Sequence, residues 1–111
     1  MNINDNIILF DGAIGTMLQK LGLASDECPE IWNDTHPELV KKVHNAYKKS
    51  GSVVIQTNTF GGNSIKLKKF GLDSRVDELN SKAVYIAKEV MGNDGYVAAS
   101  IGPTGEMLVP Y

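Results

Sequence analysis

Cysteine is nearly absent: Cys28 is the single one in 111 residues. That excludes a disulfide framework, and it excludes a metal centre built from cysteines within one copy of the chain. It also fits a reducing cytoplasm, the location expected. No excess of one charge exists either. Lys and Arg total 11 against 13 Asp and Glu, a formal net charge of −2 spread along the chain, so there is no electrostatic footprint for nucleic acid or an anionic membrane. The nearest thing to a basic patch, Lys66, Lys68 and Lys69, reads as the solvated face of a short helix. Long apolar runs are missing too: near the N-terminus the longest is Ile7 to Phe10, far short of a signal-peptide core or a membrane span. With no internal repeat, low-complexity tract or linker, residues 1–111 read as one domain or part of one, without an internal boundary.

What is present alternates between two kinds of segment. Ile7-Ile8-Leu9-Phe10 is a β-branched apolar run ending at Asp11-Gly12, the pattern of a strand buried on both faces. A helical turn over Thr16–Leu21 follows, with Thr16 as N-cap and Gly22 as stop. Residues 23–35 lack periodicity and are expected to form a long loop. The next helix starts at Pro37, capped by Thr35 or Asp34, carries Leu39, Val43 and Ala46 or Tyr47 at helical spacing, and ends at Gly51. Val53-Val54-Ile55 is a second strand running into Gln56-Thr57-Asn58-Thr59 and the turn Phe60-Gly61-Gly62-Asn63. After a short helix around Ser64–Phe70, Val76, Leu79, Ala83, Ile86 and Val90 make one apolar stripe; Ser74-Arg75-Val76-Asp77 resembles a capping box, and Gly92 closes the helix. Tyr96–Ile101 is the third strand, stopped by Gly102-Pro103.

The order strand, helix, strand, helix, strand argues for an α/β fold with parallel crossovers and any ligand site at the carboxyl ends of the strands. All three strands end in polar or glycine-rich segments. Three strands leave the outer edge of the third unpaired, so a larger fold is expected, of which these residues form a part.

Five segments in order carry a family resemblance: Asp11-Gly12-Ala13-Ile14-Gly15-Thr16; Glu30-Ile31-Trp32-Asn33; His44 with Tyr47; Thr57-Asn58-Thr59-Phe60-Gly61; and Ile101-Gly102-Pro103-Thr104-Gly105. Together they resemble the homocysteine S-methyltransferase family over nearly the whole chain. The resemblance implies a (β/α)₈ TIM barrel, which typically needs about 250 residues, so this chain is expected to be a partial barrel containing its first three strands. It further implies that zinc on three cysteine thiolates binds the homocysteine sulfur, and that methyl donors such as methyltetrahydrofolate or methylcobalamin act through other domains. Those cysteines come from later strands in the family, and Cys28 matches none of them. A free thiol is mostly protonated at neutral pH, whereas a zinc-bound one is held as thiolate. The chain is therefore expected to contact homocysteine without activating it; no catalytic residue and no metal ligand is assigned to it.

The expected substrate contacts lie at the strand ends. Asp11 would accept from the homocysteine ammonium, as its family counterpart does; the competing role is a turn or helix cap. Gly12 and Ala13 would bring backbone N–H groups to the carboxylate, or simply shape the turn. Among Thr57, Asn58 and Thr59 at least one should face the site, the alternative being structural bonding between strand ends. Ser100 could donate to the carboxylate or be a satisfied buried hydroxyl. His44 is expected to be a packed, hydrogen-bonded core histidine, His36 a loop residue, and Trp32 a residue packing the loop over the rim. Glu27 and Glu30 invite a reading as paired carboxylates that no third group supports. The remainder of the barrel is an expected partner. A non-catalytic half-barrel that self-associates through its open third-strand edge is the competing reading. A complete flavodoxin-like domain is disfavoured, because it needs about five strands and a phosphate loop.

Overall fold

The structure is a computed structural model, and it describes residues 14–102. The expected first strand, Ile7–Phe10, lies outside the described residues. The chain enters through helix α1, Ile14–Lys20, which begins before Thr16, so Thr16 sits inside the helix and caps nothing. Its end is the expected one. Gly22, at φ 117°, lets its own N–H reach Gln19 O at 3.1 Å and the N–H of Leu23 reach Leu18 O at 3.0 Å. This paired return satisfies the last-turn carbonyls and favours glycine.

Residues 23–35 are more ordered than their pattern suggests. A 3-10 turn, Pro29–Ile31, runs into the single-turn helix α2, Trp32–Thr35. Cys28 before the proline is extended, at φ −76° and ψ 115°, as a residue preceding proline prefers, and Pro29 then opens the turn with its φ already set. Trp32 is a core residue here and no rim cover: it packs with Leu18, Leu23, Val40, Val43 and Ile86, while its indole N–H donates to Glu27 Oε2 at 3.0 Å.

Helix α3 spans Pro37–Lys49 with proline in its first turn. The expected side-chain cap is not made. His36 occupies the N-cap position without a side-chain cap bond, its Nδ1 pairing with Thr35 Oγ1 at 2.8 Å; Thr35 Oγ1 also bonds Ile31 O at 3.1 Å, and Asp34 is taken by Arg75 and Lys82. After the close at Gly51, strand β1 covers Val54–Gln56, and helix α4, Ser64–Lys68, is capped by Asn63 Oδ1 accepting from Lys66 N–H at 2.8 Å. A 3-10 turn, Asp73–Arg75, leads into α5, Val76–Met91. No capping box forms at Ser74; Arg75 sits at the N-cap with no side-chain cap bond, and its side chain binds Glu78 and Asp34. The apolar stripe is as expected, with Leu79, Ala83 and Ile86 buried.

Strand β2 is Tyr96–Ala98, shorter than the expected run to Ile101. It pairs parallel with β1, Ile55 opposite Val97. The Thr57 N–H still reaches Ala98 O at 2.9 Å, but the Ser100 N–H turns to the Thr57 hydroxyl at 3.3 Å. A side chain has replaced the next rung of the ladder. Ile55, Ala87 and Met91 seal the pair from one side. Gly95 leads into β2 where a Cβ would stand 2.4 Å from Val53 O and 2.8 Å from Met91 Sδ. Gly95→Ala is therefore expected to cost about 2 kcal/mol through forced backbone displacement, read as a lower urea midpoint; an unchanged midpoint would show that this approach is not tight.

Among the described residues, no helix is long and apolar enough to cross a membrane.

Candidate functional site

A cleft of about 650 Å³ opens at the carboxyl ends of β1 and β2. Gln56, Thr57, Asn58 and Ser100 reach it from the strand ends, Ile14 and Gly15 from the start of α1, Pro29 and Glu30 from the 3-10 turn, and Phe60, Gly61, Lys66 and Phe70 from the segment around α4.

The strand ends are tied together by hydroxyls. Thr59 Oγ1 donates to Ser100 O at 2.7 Å, so its one proton is committed, and the 2.7 Å contact between Thr59 and Thr57 must have Thr57 as donor. Thr57 Oγ1 in turn accepts the Ser100 N–H. Neither threonine has a proton left for a ligand. Ser100 also lines the cleft, and its hydrogen bonds among the described residues use the backbone N–H and C=O.

Beneath this lies a buried amide pair. Asn58 Nδ2 donates to Pro29 O at 2.8 Å and to Asn33 Oδ1 at 3.0 Å, while Asn33 Nδ2 donates to Asn58 O at 2.9 Å and Leu79 O at 3.2 Å. Both side chains are almost fully buried. One pair thus joins the 3-10 turn, α2, the end of β1 and α5.

Thr57, Asn58 and Ser100 therefore share the cleft, whereas Thr59 lines a smaller neighbouring hollow of about 190 Å³. Asp11, Gly12 and Ala13 lie outside the described residues. Glu30 and Lys66 are charged groups at the cleft that the sequence pattern assigns elsewhere, Lys66 to a solvated helix face and Glu30 to an unsupported pair with Glu27. Lys66 is half-buried and lines the cleft, unlike the exposed Lys68 and Lys69, because the helical turn brings it to the face shared with Phe70. Glu30 is buried and is separated in role from Glu27, which is tied to Trp32 and the Ala24 N–H. Its one signal is its place in the Pro-Glu-Ile-Trp-Asn segment. His44 is buried as expected, but both ring nitrogens lack the expected hydrogen bonds among the described residues.

The donor set does not fit a zinc centre. Among the described residues no group of three His, Cys, Asp or Glu could hold a metal ion. Burial, and then the Glu30 carboxylate beside it, push the Cys28 thiol up to about 11, the opposite of a metal-ready thiolate.

Parallel strands crossing over through helices, with a cleft at their carboxyl ends, define an α/β protein whose cleft lies where such folds bind ligands. The sequence profile described as homocysteine S-methyltransferase matches residues 8–111, and the chain belongs to that family. Methionine synthase of Mycobacterium tuberculosis is 33% identical over 113 residues, covering 91% of this chain, and that of Mycobacterium leprae is 31% identical over 109 residues, covering 87%. The chain spans only 10% and 9% of those relatives. The crystal structure of the homocysteine methyltransferase MmuM from Escherichia coli in its metallated form superposes with a TM-score of 0.74 at 25% identity, over 93% of this chain and 40% of that one. Its oxidized form gives 0.75 at 26%.

Proposed function

We propose that residues 1–111 are the substrate-contacting first part of a (β/α)₈ barrel that transfers a methyl group to the thiol of homocysteine, forming methionine. The observation that carries this reading is the cleft at the strand ends, lined by Thr57, Asn58 and Ser100. In this reading Asp11 accepts from the substrate ammonium. The Gly12 and Ala13 N–H groups and the Ser100 hydroxyl donate to its carboxylate. Thr57 and Thr59 hold the strand ends in register, and Asn58 fixes the loop behind them. The chain binds and orients the substrate, and none of its residues forms the thiolate.

The test is a titration of the ¹⁵N-labelled chain with L-homocysteine. Shifts concentrated at Ser100, Thr57 and Gly61 are expected, together with weaker binding by Ser100→Ala of about threefold to tenfold, the loss of one hydrogen bond. Shifts scattered over the surface, or none, would count against the reading. A second reading has its own support: Tyr96 and Ile101 on and beyond the outer edge of β2 are 53% and 88% exposed. Concentration-dependent mass with no response to homocysteine would favour a self-associating half-barrel.

A further inference from the structure

One charge in the cleft has partners too weak for its burial. Glu30 is only 4% exposed. Its Oε1 accepts from the Cys28 thiol at 3.4 Å and its Oε2 from the Gly61 N–H at 3.3 Å. The first is a weak donor and the second a long contact, while a carboxylate has room for about four donors. Among the described residues Glu30 forms no ion pair; Lys66, on the same cleft, does not reach it. A buried carboxylate without a cation is costly, and this one borders an open cleft.

We infer that Glu30 receives the protonated amine of the amino-acid ligand, as an anionic acceptor additional to Asp11. The inference rests on the homocysteine reading and adds a specificity-determining residue to it. The surroundings hold the carboxylate ready. At Gly61 a Cβ would stand 2.9 Å from Glu30 Oε1, so glycine there lets the loop close over the carboxylate. The protonated Cys28 thiol donates from the other side and fixes the carboxylate's orientation without neutralising it. An ammonium offers three donors, enough to engage Glu30 and a further acceptor.

The experiment is calorimetric titration of the full chain with L-homocysteine and with 4-sulfanylbutanoate, the same molecule without its amine. The wild-type chain is expected to prefer homocysteine. Glu30→Gln, which keeps shape and a hydrogen-bond acceptor, is expected to lose about tenfold or more in homocysteine affinity while binding 4-sulfanylbutanoate as before. Unchanged homocysteine affinity in Glu30→Gln overturns the inference and leaves the homocysteine reading standing. An equal fall for both ligands also overturns it, assigning Glu30 to loop support alone. If the wild-type chain binds neither ligand, the homocysteine reading fails and the inference fails with it.

Discussion

Replacing Asn33 by alanine is expected to destabilise the chain by about 3 kcal/mol. Three hydrogen bonds go at once: the donations to Asn58 O and Leu79 O and the acceptance from Asn58 Nδ2. An orphaned buried polar group costs about 1–3 kcal/mol. The Leu79 carbonyl lies inside α5, where the helix ladder already uses it, and Asn58 Nδ2 keeps Pro29 O. The Asn58 carbonyl therefore bears most of the loss. Urea unfolding monitored by Trp32 fluorescence measures it. Because the two amides are each other's partners, Asn33→Ala combined with Asn58→Ala should cost less than the sum of the singles, by about 1 kcal/mol or more. Additive behaviour, or a single-variant cost under about 0.5 kcal/mol, would show the pair to be incidental.

The second large effect is in pH. His44 is fully buried, and burial lowers its pKa from 6.5 to about 4. The unfolded chain therefore takes up the proton first, so the stability conferred by neutral His44 is complete above pH 6.5 and drains away as pH falls towards 4. A shift of that size corresponds to about 3 kcal/mol between the two ends of the window. The paired carboxylates leave most of this window clear. Hydrogen bonds from Arg75 and Lys82 hold Glu78 down to about 2, and the same two cations, Lys82 foremost, lower Asp34; their contributions are present above the ordinary carboxylate range and are lost at lower pH. In His44→Leu the loss between pH 6.5 and 4.5 should largely disappear. At pH 7.5 the variant should be at least as stable as wild type, because two unpartnered ring nitrogens leave the interior. Parallel pH profiles for the two proteins would reject the assignment.

The strongest patterns in the sequence are the long-range ones. The α5 stripe, the β1 run and the glycine-closed ends of α1 and α3 follow from period and backbone preference alone, and they stand in the structure. Short elements are not legible, since a three-residue turn and a four-residue helix cannot display a period; Trp32–Thr35 is defined by Trp32 entering the core. Local capping rules fail where the candidate side chain finds a better partner elsewhere. Asp34 is drawn to two cations on α5, which are distant in sequence and invisible to a local rule. The strand-end threonines fall at the cleft region as expected, yet which hydroxyl stays free depends on how Thr57, Thr59 and Ser100 share protons across two strands. Lys66, read as solvated, and Glu30, read beside Glu27, both come to the cleft because helical phase and the path of the loop, both three-dimensional, decide their side.

The protonated state of Cys28 has a consequence for any sulfur chemistry at the cleft. Burial and the neighbouring Glu30 carboxylate push the thiol up to about 11, so it stays protonated at neutral pH. Cys28, the one sulfhydryl among these 111 residues, is thus a poor nucleophile towards an electrophilic carbon and a poor partner for a mixed disulfide.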